Sequence, residues 1–491
     1  MSTWAREELA TPSLGDTRLD ERLAAVMMRM YDSPESSIKA ACKGWAETMG
    51  AYRLLNNPEV TSAKILQAHG ESLIKRAGEH KRVLVIQDTT ELDYTPKQAL
   101  KGRGPLSDLK RQGFFAHNEL VVSPEGLVLG IWHTDICARD PQKHGQSAKR
   151  KQMPFEEKGS YRWLEGYRSA CTLAAQAPGV RVVSCADREG DIYELFEEWQ
   201  RRKREGLPAA ELLIRSKHDR RLLEVNGEPF SQTLSEALEG QEVFGETGER
   251  GSAGPVKRLR VPVTYQEEYV KDKDGNRRKT IRSQRVATLD VRSCSVTLRP
   301  PERPDRKLET VRVQVIMVRE TDPPQGEDPI QWILVTTEST QTWEEVEKLI
   351  ALYAMRWSIE VFHRVLKTGC RVEELQLKEA QRIKVAVTMY TLVAWRVLYV
   401  MTLGRRCPDL PCEVVFEEDE WRALYGIVRP RQKVKEMPRL NEVVGIVAGL
   451  GGYLGRKGDG PPGAQALWVG MGRLRDFTLA YRVLIKGQAL F

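Results

Sequence analysis

The chain has 491 residues, and its 76 Lys and Arg against 68 Asp and Glu give a formal net charge of +8. Apolar residues make up 41% and charged residues 29%, which suits a folded core and excludes general disorder. At roughly 100 to 200 residues per domain, this length predicts two to four domains. The basic excess favours a polyanionic partner such as nucleic acid, without establishing one.

The cysteines and the N-terminal sequence indicate in which cellular compartment the protein is found. The eight cysteines include no CxxC pair, and Cys407 and Cys412 have no nearby histidine to complete a zinc site. We therefore expect reduced thiols and, because the N-terminus lacks the apolar run of a signal peptide, a cytoplasmic protein. Residues 385–403 imitate a membrane span, but Arg396 near their middle favours a buried core helix.

The first 70 residues have the apolar spacing of helices, and Asp16 is placed to cap the first long one. Further helical patterns cover residues 45–55 and 62–74. These patterns predict a small helical domain.

Short apolar runs bounded by turns follow, at residues 82–87, 119–123 and 127–133. The turn signal at residues 124–126 predicts an antiparallel hairpin between the last two runs. After them come a helix, a strand, a helix and a strand, near residues 161–175, 180–185, 192–202 and 211–216. This order is the one expected of a ribonuclease H-like core.

Residues 217–341 alternate as β-strands do and predict an all-β insertion that interrupts this core. Its predicted strands are at residues 258–265, 286–298, 311–318 and 331–336, with a basic hairpin-like segment at 271–285. The capping box of Thr342 and Glu345 then opens a long helix that we expect to run to about Thr368.

A second long helix at 385–403 is followed by a polar stretch and then by helices at 441–450 and 464–484. The Gly-rich loop between these last two lacks the GK[ST] of a phosphate-binding loop, which argues against a nucleotide site. The chain is thus predicted to be a multidomain α/β protein. The predicted segments are 1–70, 71–216, 217–341, 342–403 and 404–491.

Asp88 and Asp187 each directly follow an apolar run. A carboxylate just past a strand end is open to solvent yet held by a rigid sheet, as a metal ligand requires. Either one alone is more simply a strand-terminating residue in a turn. In the predicted topology, however, the first and fourth strands are neighbours, which would bring the two carboxylates together.

The long helix supplies a third acid, Glu360. One narrow stripe of that helix contains Tyr353, Arg356, Glu360, Arg364 and Lys367, opposite an apolar face. The alternative is a solvated face with an ordinary Glu360–Arg364 pair. For His363, at the edge of the stripe, the alternative is an ordinary helix-surface residue. Three carboxylates beside basic residues, without clustered His or Cys, favour magnesium or manganese at a phosphodiester.

Two patterns resemble signatures of the insertion-sequence-four family of DDE transposases, the family that includes the transposase of transposon Tn-five. They are the spacing Tyr353-x2-Arg356-x3-Glu360-x6-Lys367 and the segment that starts at Asp187-Arg188 and continues to Ile192. The resemblance extends nearly end to end. Its other parts are Leu14-Gly15-Asp16, Ala51-Tyr52-Arg53, Asp88-Thr89-Thr90, Arg215-Ser216-Lys217-His218, Leu450-Gly451-Gly452 and Ala466-Leu467-Trp468.

This resemblance implies a cut-and-paste DNA transposase with a ribonuclease H-like core. Asp88, Asp187 and Glu360 would hold two divalent ions, Mg²⁺ with Mn²⁺ able to substitute. These would serve nicking, hairpin formation, hairpin hydrolysis and strand transfer into target DNA. The expected DNA contacts are Tyr353, Arg356, Lys367, Arg364, Arg215, Lys217, His218, Trp332 and Arg188.

By the same resemblance, the N-terminal helices recognise the transposon ends, the insertion positions the DNA, and the C-terminal helices form a homodimer in the paired-end complex. Trp332 would stack on a flipped base; the alternatives are core packing of Trp332 and stacking by Trp357 instead. Gly445 and Gly449 permit close helix approach, either at a dimer contact or inside one chain. Basic clusters at 97–111, 149–151, 201–204 and 277–279 either line DNA paths or are solvated faces.

Two other functions remain open. A DNA-binding relative without chemistry would share the fold, but the presence of all three acids argues against it. A ribonuclease H-like nuclease that cuts without joining would not need the insertion and the terminal domains.

Overall fold

The computed structural model describes residues 4–33, 37–42, 44–141, 153–244, 258–263, 266–271, 277–282, 285–429, 436–485 and 487. The chain divides into two compact units. The first contains Met1–Lys151, Thr172–Arg181 and Trp357–Phe491, and the second contains Gln152–Cys171 and Val182–Arg356.

The N-terminal part of the first unit is helical, as its apolar spacing predicts. Its helices are α1 (Trp4–Glu8), α2 (Thr17–Asp32), α3 (Ile38–Ala41), α4 (Trp45–Asn56) and α5 (Ser62–Gly78). The predicted cap is confirmed, because the Asp16 carboxylate accepts the N–H of Arg18 at the start of α2.

An antiparallel group of strands follows: β1 (Arg82–Asp93), β2 (Gly104–Pro105), β3 (Gln112–Val122) and β4 (Val128–Cys137). β3 pairs with both β1 and β4, and the predicted hairpin turn is confirmed by Gly126, whose φ is +87°. β1 is longer than predicted, because β3 pairs with it as far as Asp93. Asp88 therefore lies inside the strand, and the prediction that it directly follows the strand is wrong.

The predicted helix, strand, helix and strand are confirmed as α6 (Tyr161–Gln176), β5 (Arg181–Ala186), α7 (Tyr193–Arg204) and β6 (Glu211–Arg215). β5 and β6 pair in parallel. Because strands further along the chain join this pair in antiparallel fashion, the second unit contains a mixed sheet.

Those further strands are β7 (Leu222–Val225), β8 (Glu228–Pro229), β9 (Leu259–Val263), β10 (Gln266–Lys271), β11 (Arg277–Arg282), β12 (Arg285–Leu298), β13 (Val311–Glu320) and β14 (Gln331–Thr336). From β5 the sheet order is β5-β6-β14-β13-β12-β7-β8, with β9 beside β12. The predicted basic hairpin corresponds to the separate antiparallel pair of β10 and β11, but its first strand lies before residue 271 instead of within the predicted 271–285.

The segment between β6 and α9 (Trp343–Ala354) is not all-β, which corrects the prediction. It contains helix α8 (Leu234–Glu239), which begins at a capping box formed by Thr233 and Glu236. The Thr-x-x-Glu spacing of that box is a helix signal in the sequence. The short helix was missed because strand patterns surround it.

The single long helix predicted from Thr342 to about Thr368 is wrong. The capping box of Thr342 and Glu345 is confirmed, but α9 ends at Ala354 and α10 (Trp357–Arg364) is a separate helix. The N–H groups of Met355 and Arg356 bond to the carbonyls three residues earlier, so the last turn tightens and stops. After α10 the backbone continues as a short π-helix, Val365–Gly369.

Helix α11 (Ala380–Arg406) is the predicted core helix. Among the described residues it is the one helix long and apolar enough to cross a membrane, but 94% of its apolar window is buried inside the protein. Arg396 is also buried. These findings confirm the core-helix interpretation.

The chain ends in α12 (Glu418–Val428), α13 (Leu440–Leu450) and α14 (Ala464–Leu484). α12 was missed because its first turn is acidic and reads as polar loop. α13 and α14 approach closely at Gly470, where a Cβ would collide with the carbonyl of Val447. Apart from the backbone of their own helix, no described residue lies within 4 Å of a Cβ built on Gly445 or Gly449, so the described helices form no tight crossing at those two glycines.

A buried ionic group fastens α1 to the rest of the first unit. The Arg76 guanidinium donates to both carboxylate oxygens of Glu8 at 2.7 Å, and His69 Nδ1 lies 2.6 Å from the same carboxylate. His69 Nε2 accepts the N–H of Ile131, so the neutral ring carries its proton on Nδ1, facing Glu8. Arg76 also lies over the ring of Trp395.

We expect this group to make the protein acid-sensitive. Burial raises the pKa of Glu8, but His69 and Arg76 outweigh that effect and lower it to about 2, whereas burial lowers the pKa of His69. Both pKa values are depressed on folding, so their stabilisation is present above pH 6.5 and is lost as the pH falls. For Glu8 the loss amounts to roughly 3 kcal/mol between about pH 4.5 and pH 2.

Thermal melts between pH 3 and pH 7 would measure this loss. Glu8→Gln should flatten the acid side of the profile, and Glu7→Gln, on the exposed side of the same helix, is the matched control. A Glu8→Gln profile that stays parallel to the wild-type profile would contradict the assignment.

Candidate active site

Asp88 and Glu360 both belong to the first unit. Asp88 is half-buried in the middle of β1, where its carboxylate accepts the N–H of Thr89 at 2.7 Å. α10 carries the half-buried Glu360 and packs against β1. The strand and the helix therefore hold these two carboxylates on one rigid framework.

His363, one turn after Glu360, is buried, which excludes the reading of this histidine as a helix-surface residue. Its Nε2 lies 3.1 Å from the amide nitrogen of Asn118 on β3. Neither Asn118 nor its hydrogen-bond partner Thr134 stood out in the sequence, since only the fold brings them beside α10.

The two basic residues that follow Glu360 on the same stripe differ in their surroundings. Lys367, in the π-helix, donates to the carbonyl of Glu91 at 2.8 Å and lies 3.3 Å from the Glu373 carboxylate. Arg364 is exposed and has no ion-pair partner among the described residues, so the alternative Glu360–Arg364 pair is not formed. Of the two cations, Arg364 is the more accessible to a ligand.

Asp187 belongs to the second unit and directly follows β5, as predicted. Its carboxylate caps the short 3₁₀-helix Arg188–Gly190 by accepting the N–H of Glu189 at 2.8 Å. A Cβ on Gly190 would collide with the Cβ of Ala186, so the tight turn that presents Asp187 requires glycine there. Arg188 is exposed.

Tyr353 is buried, whereas the stripe interpretation gave it an ionic, accessible face. Burial raises its pKa to about 12, and the charges of Arg356 and Arg215 act against that rise. Burial also lowers the pKa of Arg215. The ring of Trp332 is half-buried and meets Tyr353 edge-on, with 5.5 Å between ring centroids.

The segment after β6 is organised by Asp191, whose role the sequence did not reveal. Its buried carboxylate accepts the N–H groups of Lys217 and His218 at 2.7 and 3.0 Å and pairs with Arg220 at 2.5 Å. The side chains of Lys217 and His218 are exposed. The Asp187-to-Ile192 signature contained the signal, because it includes this second aspartate.

A cleft of about 570 Å³ in the second unit adjoins this segment. Its cationic and histidine lining residues are Lys158, Arg188, Lys217, His218, Arg220, Arg221, Arg299 and Arg303. Arg303 pairs with Glu194 at 2.7 Å, and Arg220 with Asp191. The other five Lys and Arg have no ion-pair partner among the described residues, so the cleft presents a net positive charge suited to phosphates.

The predicted basic clusters differ in whether their cations have carboxylate partners and in how much of them the structure describes. In residues 201–204 every cation has a carboxylate partner, for example Lys203 with Glu211 and Arg204 with Glu309, which favours an intramolecular role. In 97–111, Arg111 pairs with Glu91. Residues 149–151 lie outside the described part of the chain, and for 277–279 only the backbone is described.

The donor chemistry suits a hard divalent cation. Asp88, Asp187 and Glu360 offer only carboxylate oxygens, the ligands that Mg²⁺ and Mn²⁺ prefer. Within the described residues, no group of three or more His, Cys, Asp and Glu side chains forms a ready-made metal site. All eight cysteines lie in described residues and none of them is in a disulfide, as expected of reduced thiols.

Three family models match the chain in succession. Residues 1–60 match the transposase DNA-binding model, residues 208–396 the transposase DDE domain, and residues 392–484 the transposase Tn5 dimerisation domain. The chain is therefore a DDE transposase, a metal-dependent enzyme that acts on DNA.

The two terminal matches make the identification more particular. A transposase DNA-binding domain before the catalytic part and a Tn5 dimerisation domain after it identify a Tn5-like transposase that binds DNA and dimerises. The DDE domain also implies a ribonuclease H-like core. Of the three proposed metal ligands, Glu360 lies inside the residues matched by the DDE model, and Asp88 and Asp187 lie before them.

Proposed function

We propose that this transposase moves DNA by cut-and-paste chemistry, with Asp88, Asp187 and Glu360 as its metal ligands. The observation that carries the proposal is the succession of DNA-binding, DDE and dimerisation matches along one chain. A nuclease that only cuts would not need the first and the last of these. The segment boundaries proposed from the sequence assign end recognition to 1–70, catalysis to 71–216 and 342–403, DNA positioning to 217–341 and dimerisation to 404–491.

The three carboxylates would hold two Mg²⁺ ions, with Mn²⁺ able to substitute. Such a pair of ions activates an attacking oxygen and stabilises a leaving one. The half-buried setting of each acid supports this role, because ligands held by strand, turn and helix stay in place while DNA enters and leaves.

Four reactions would use these residues in turn. Water nicks DNA at the transposon end, and the freed 3′-hydroxyl attacks the opposite strand to form a hairpin. Water then opens the hairpin, and the 3′-hydroxyl finally attacks target DNA. Each step is an in-line displacement at phosphorus by a hydroxyl-type nucleophile, so one set of ligands suffices.

The DNA contacts would come from cations of both units. Arg356, Arg364 and Lys367 would bind phosphates near the scissile bond, and Tyr353 would contribute its hydroxyl. In the second unit, Arg188, Lys217 and His218, which line the positive cleft, would extend the contact, together with Arg215 at the end of β6. These contacts are charge-based, so end binding should weaken steeply with salt.

A plasmid carrying two transposon ends tests the proposed function. With Mg²⁺ the protein should release the fragment between the ends and join it to a second DNA. Release without joining would indicate a plain nuclease, and end binding without release would indicate a catalytically silent relative. We expect this chemistry to take place in the cytoplasm, on nucleoid DNA.

The paired-end complex should contain two chains joined through the C-terminal helices. Deleting the residues after about 440 should leave binding of single ends and prevent double-end complexes. Because α11 packs on α13 and α14, that deletion also uncovers apolar core, and a point variant is cleaner.

Gly445→Gln supplies that point variant. The described residues leave open space at this position, so the new side chain should leave the fold intact while obstructing a helix contact with a second chain. Gly426→Gln, in similarly open space on α12, is the control. Sizing of protein with end DNA should show loss of paired complexes for Gly445→Gln only; paired complexes unchanged by both the deletion and Gly445→Gln would refute the dimer role.

A further inference from the structure

A buried polar chain connects the helix that carries Glu360 to the strand that faces Asp88. The amide nitrogen of Asn118 donates to Nε2 of His363 at 3.1 Å, and its amide oxygen accepts the hydroxyl of Thr134 at 3.0 Å. Asn118 is 0% exposed, and Thr134 and His363 are also buried. A buried amide with its donor and acceptor both engaged holds one orientation, because turning it would leave polar groups unsatisfied.

The sheet register puts this amide beside the first proposed ligand. Asp88 and Asn118 are direct partners across β1 and β3. Residues directly opposite in an antiparallel pair direct their side chains to the same face of the sheet. Asn118 therefore shares its face with Asp88.

Helix α10 places His363, at the other end of this series of hydrogen bonds, beside Glu360. Glu360 and His363 are three residues apart on α10, a spacing at which side chains are neighbours on the helix surface. The hydrogen bond from Asn118 to His363 thus fixes the rotation of α10 about its axis and its position along that axis, close to Glu360. The Asn118 amide therefore links the helix that carries Glu360 to the strand pair that contains Asp88.

We propose that Asn118 is a positioning residue that, through His363, sets the separation of Glu360 from Asp88 for metal binding. The inference rests on the proposed role of these two acids as ligands. Mg²⁺ demands near-ideal octahedral geometry, so a small displacement of one ligand weakens its binding. Thr134 supports the arrangement by holding the amide in the orientation that donates to His363.

The effect is measured by following the nicking of end DNA, held at a saturating concentration, as the Mg²⁺ concentration is raised. Asn118→Ala and His363→Leu should each raise the half-maximal Mg²⁺ concentration by about tenfold, the lower end of what loss of an outer partner costs a metal site. His363→Gln offers the amide an acceptor in place of Nε2 and should restore much of the wild-type Mg²⁺ dependence. Binding of end DNA without metal should be unchanged in all three variants.

Thr391→Val is the matched control, because it removes one buried hydrogen bond, to the carbonyl of Thr388, on a different helix. It should lower the melting temperature without moving the Mg²⁺ midpoint. Unchanged midpoints for both Asn118→Ala and His363→Leu, with activity falling only as stability falls, would overturn the positioning role. Glu360→Gln in the same assay separates the positioning role of Asn118 from the ligand role of Glu360. Nicking by Glu360→Gln would refute Glu360 as a metal ligand. If Glu360→Gln is inactive, the ligand role stands and the Mg²⁺ midpoints of the Asn118 and His363 variants alone decide the positioning role.

Discussion

Replacing Asp88, Asp187 or Glu360 by alanine is expected to abolish nicking, hairpin formation and strand transfer together. Each substitution would remove a proposed ligand of the metal pair, which would provide several kcal/mol of transition-state stabilisation, so the rate should fall at least about a hundredfold. End binding without metal should persist, since the DNA-binding match lies at residues 1–60, away from all three acids in sequence.

The isosteric variants Asp88→Asn, Asp187→Asn and Glu360→Gln distinguish lost ligation from lost packing. They keep the side-chain shape and remove the charge, and we expect them to be as inactive as the alanine variants. Glu189→Gln is the control, because Glu189 is exposed and lies two residues from Asp187. Near-normal Mg²⁺-dependent nicking by any one of the three would refute that residue's place among the ligands.

Trp332→Ala should impair hairpin formation more than the first nick. A hairpin at the transposon end requires a tight bend, and flipping one base out of the helix relieves it at a cost of a few kcal/mol. Stacking of that base on an aromatic ring offsets about 1 to 3 kcal/mol, so the hairpin step should slow by roughly 10- to 100-fold. Trp332 is half-buried on β14, and its ring meets the buried Tyr353, which orients it.

The competing assignments give different results. Trp357 is 54% exposed at the start of α10, and Trp357→Ala would show the selective hairpin defect if that ring were the platform. A DNA substrate lacking the flipped base should partly rescue Trp332→Ala. Equal loss of both steps, with a lowered melting temperature and no rescue, would identify Trp332 as a core residue.

Sequence periodicity predicted the elements that are amphipathic or apolar throughout. α2, α6, α11 and α14 were expected close to where they lie, because burial against a core requires regular apolar spacing. Asp187 was likewise expected at its strand end. Asp88 was misplaced because the polar continuation of β1 is held by pairing to β3, a long-range contact that short apolar runs do not reveal.

The break between α9 and α10 had no signal in the sequence, since Met355 and Arg356 include neither glycine nor proline. The helical wheel across that break was therefore misleading, and Tyr353 is buried instead of lying on one open stripe with Glu360. Asn118 and Asp191 were missed for another reason. A buried polar residue acquires its role from partners distant in sequence, and these are known only once the chain has folded.

The most direct measurement uses labelled DNA that carries the candidate transposon ends, incubated with the protein and Mg²⁺ and resolved on a denaturing gel. Cut-and-paste chemistry with one set of three carboxylate ligands predicts a nicked strand first, then a hairpin of about twice the strand length, and neither product with Glu360→Gln. Linear double-strand breaks that form without a hairpin, or hairpins that still form with Glu360→Gln, would contradict it.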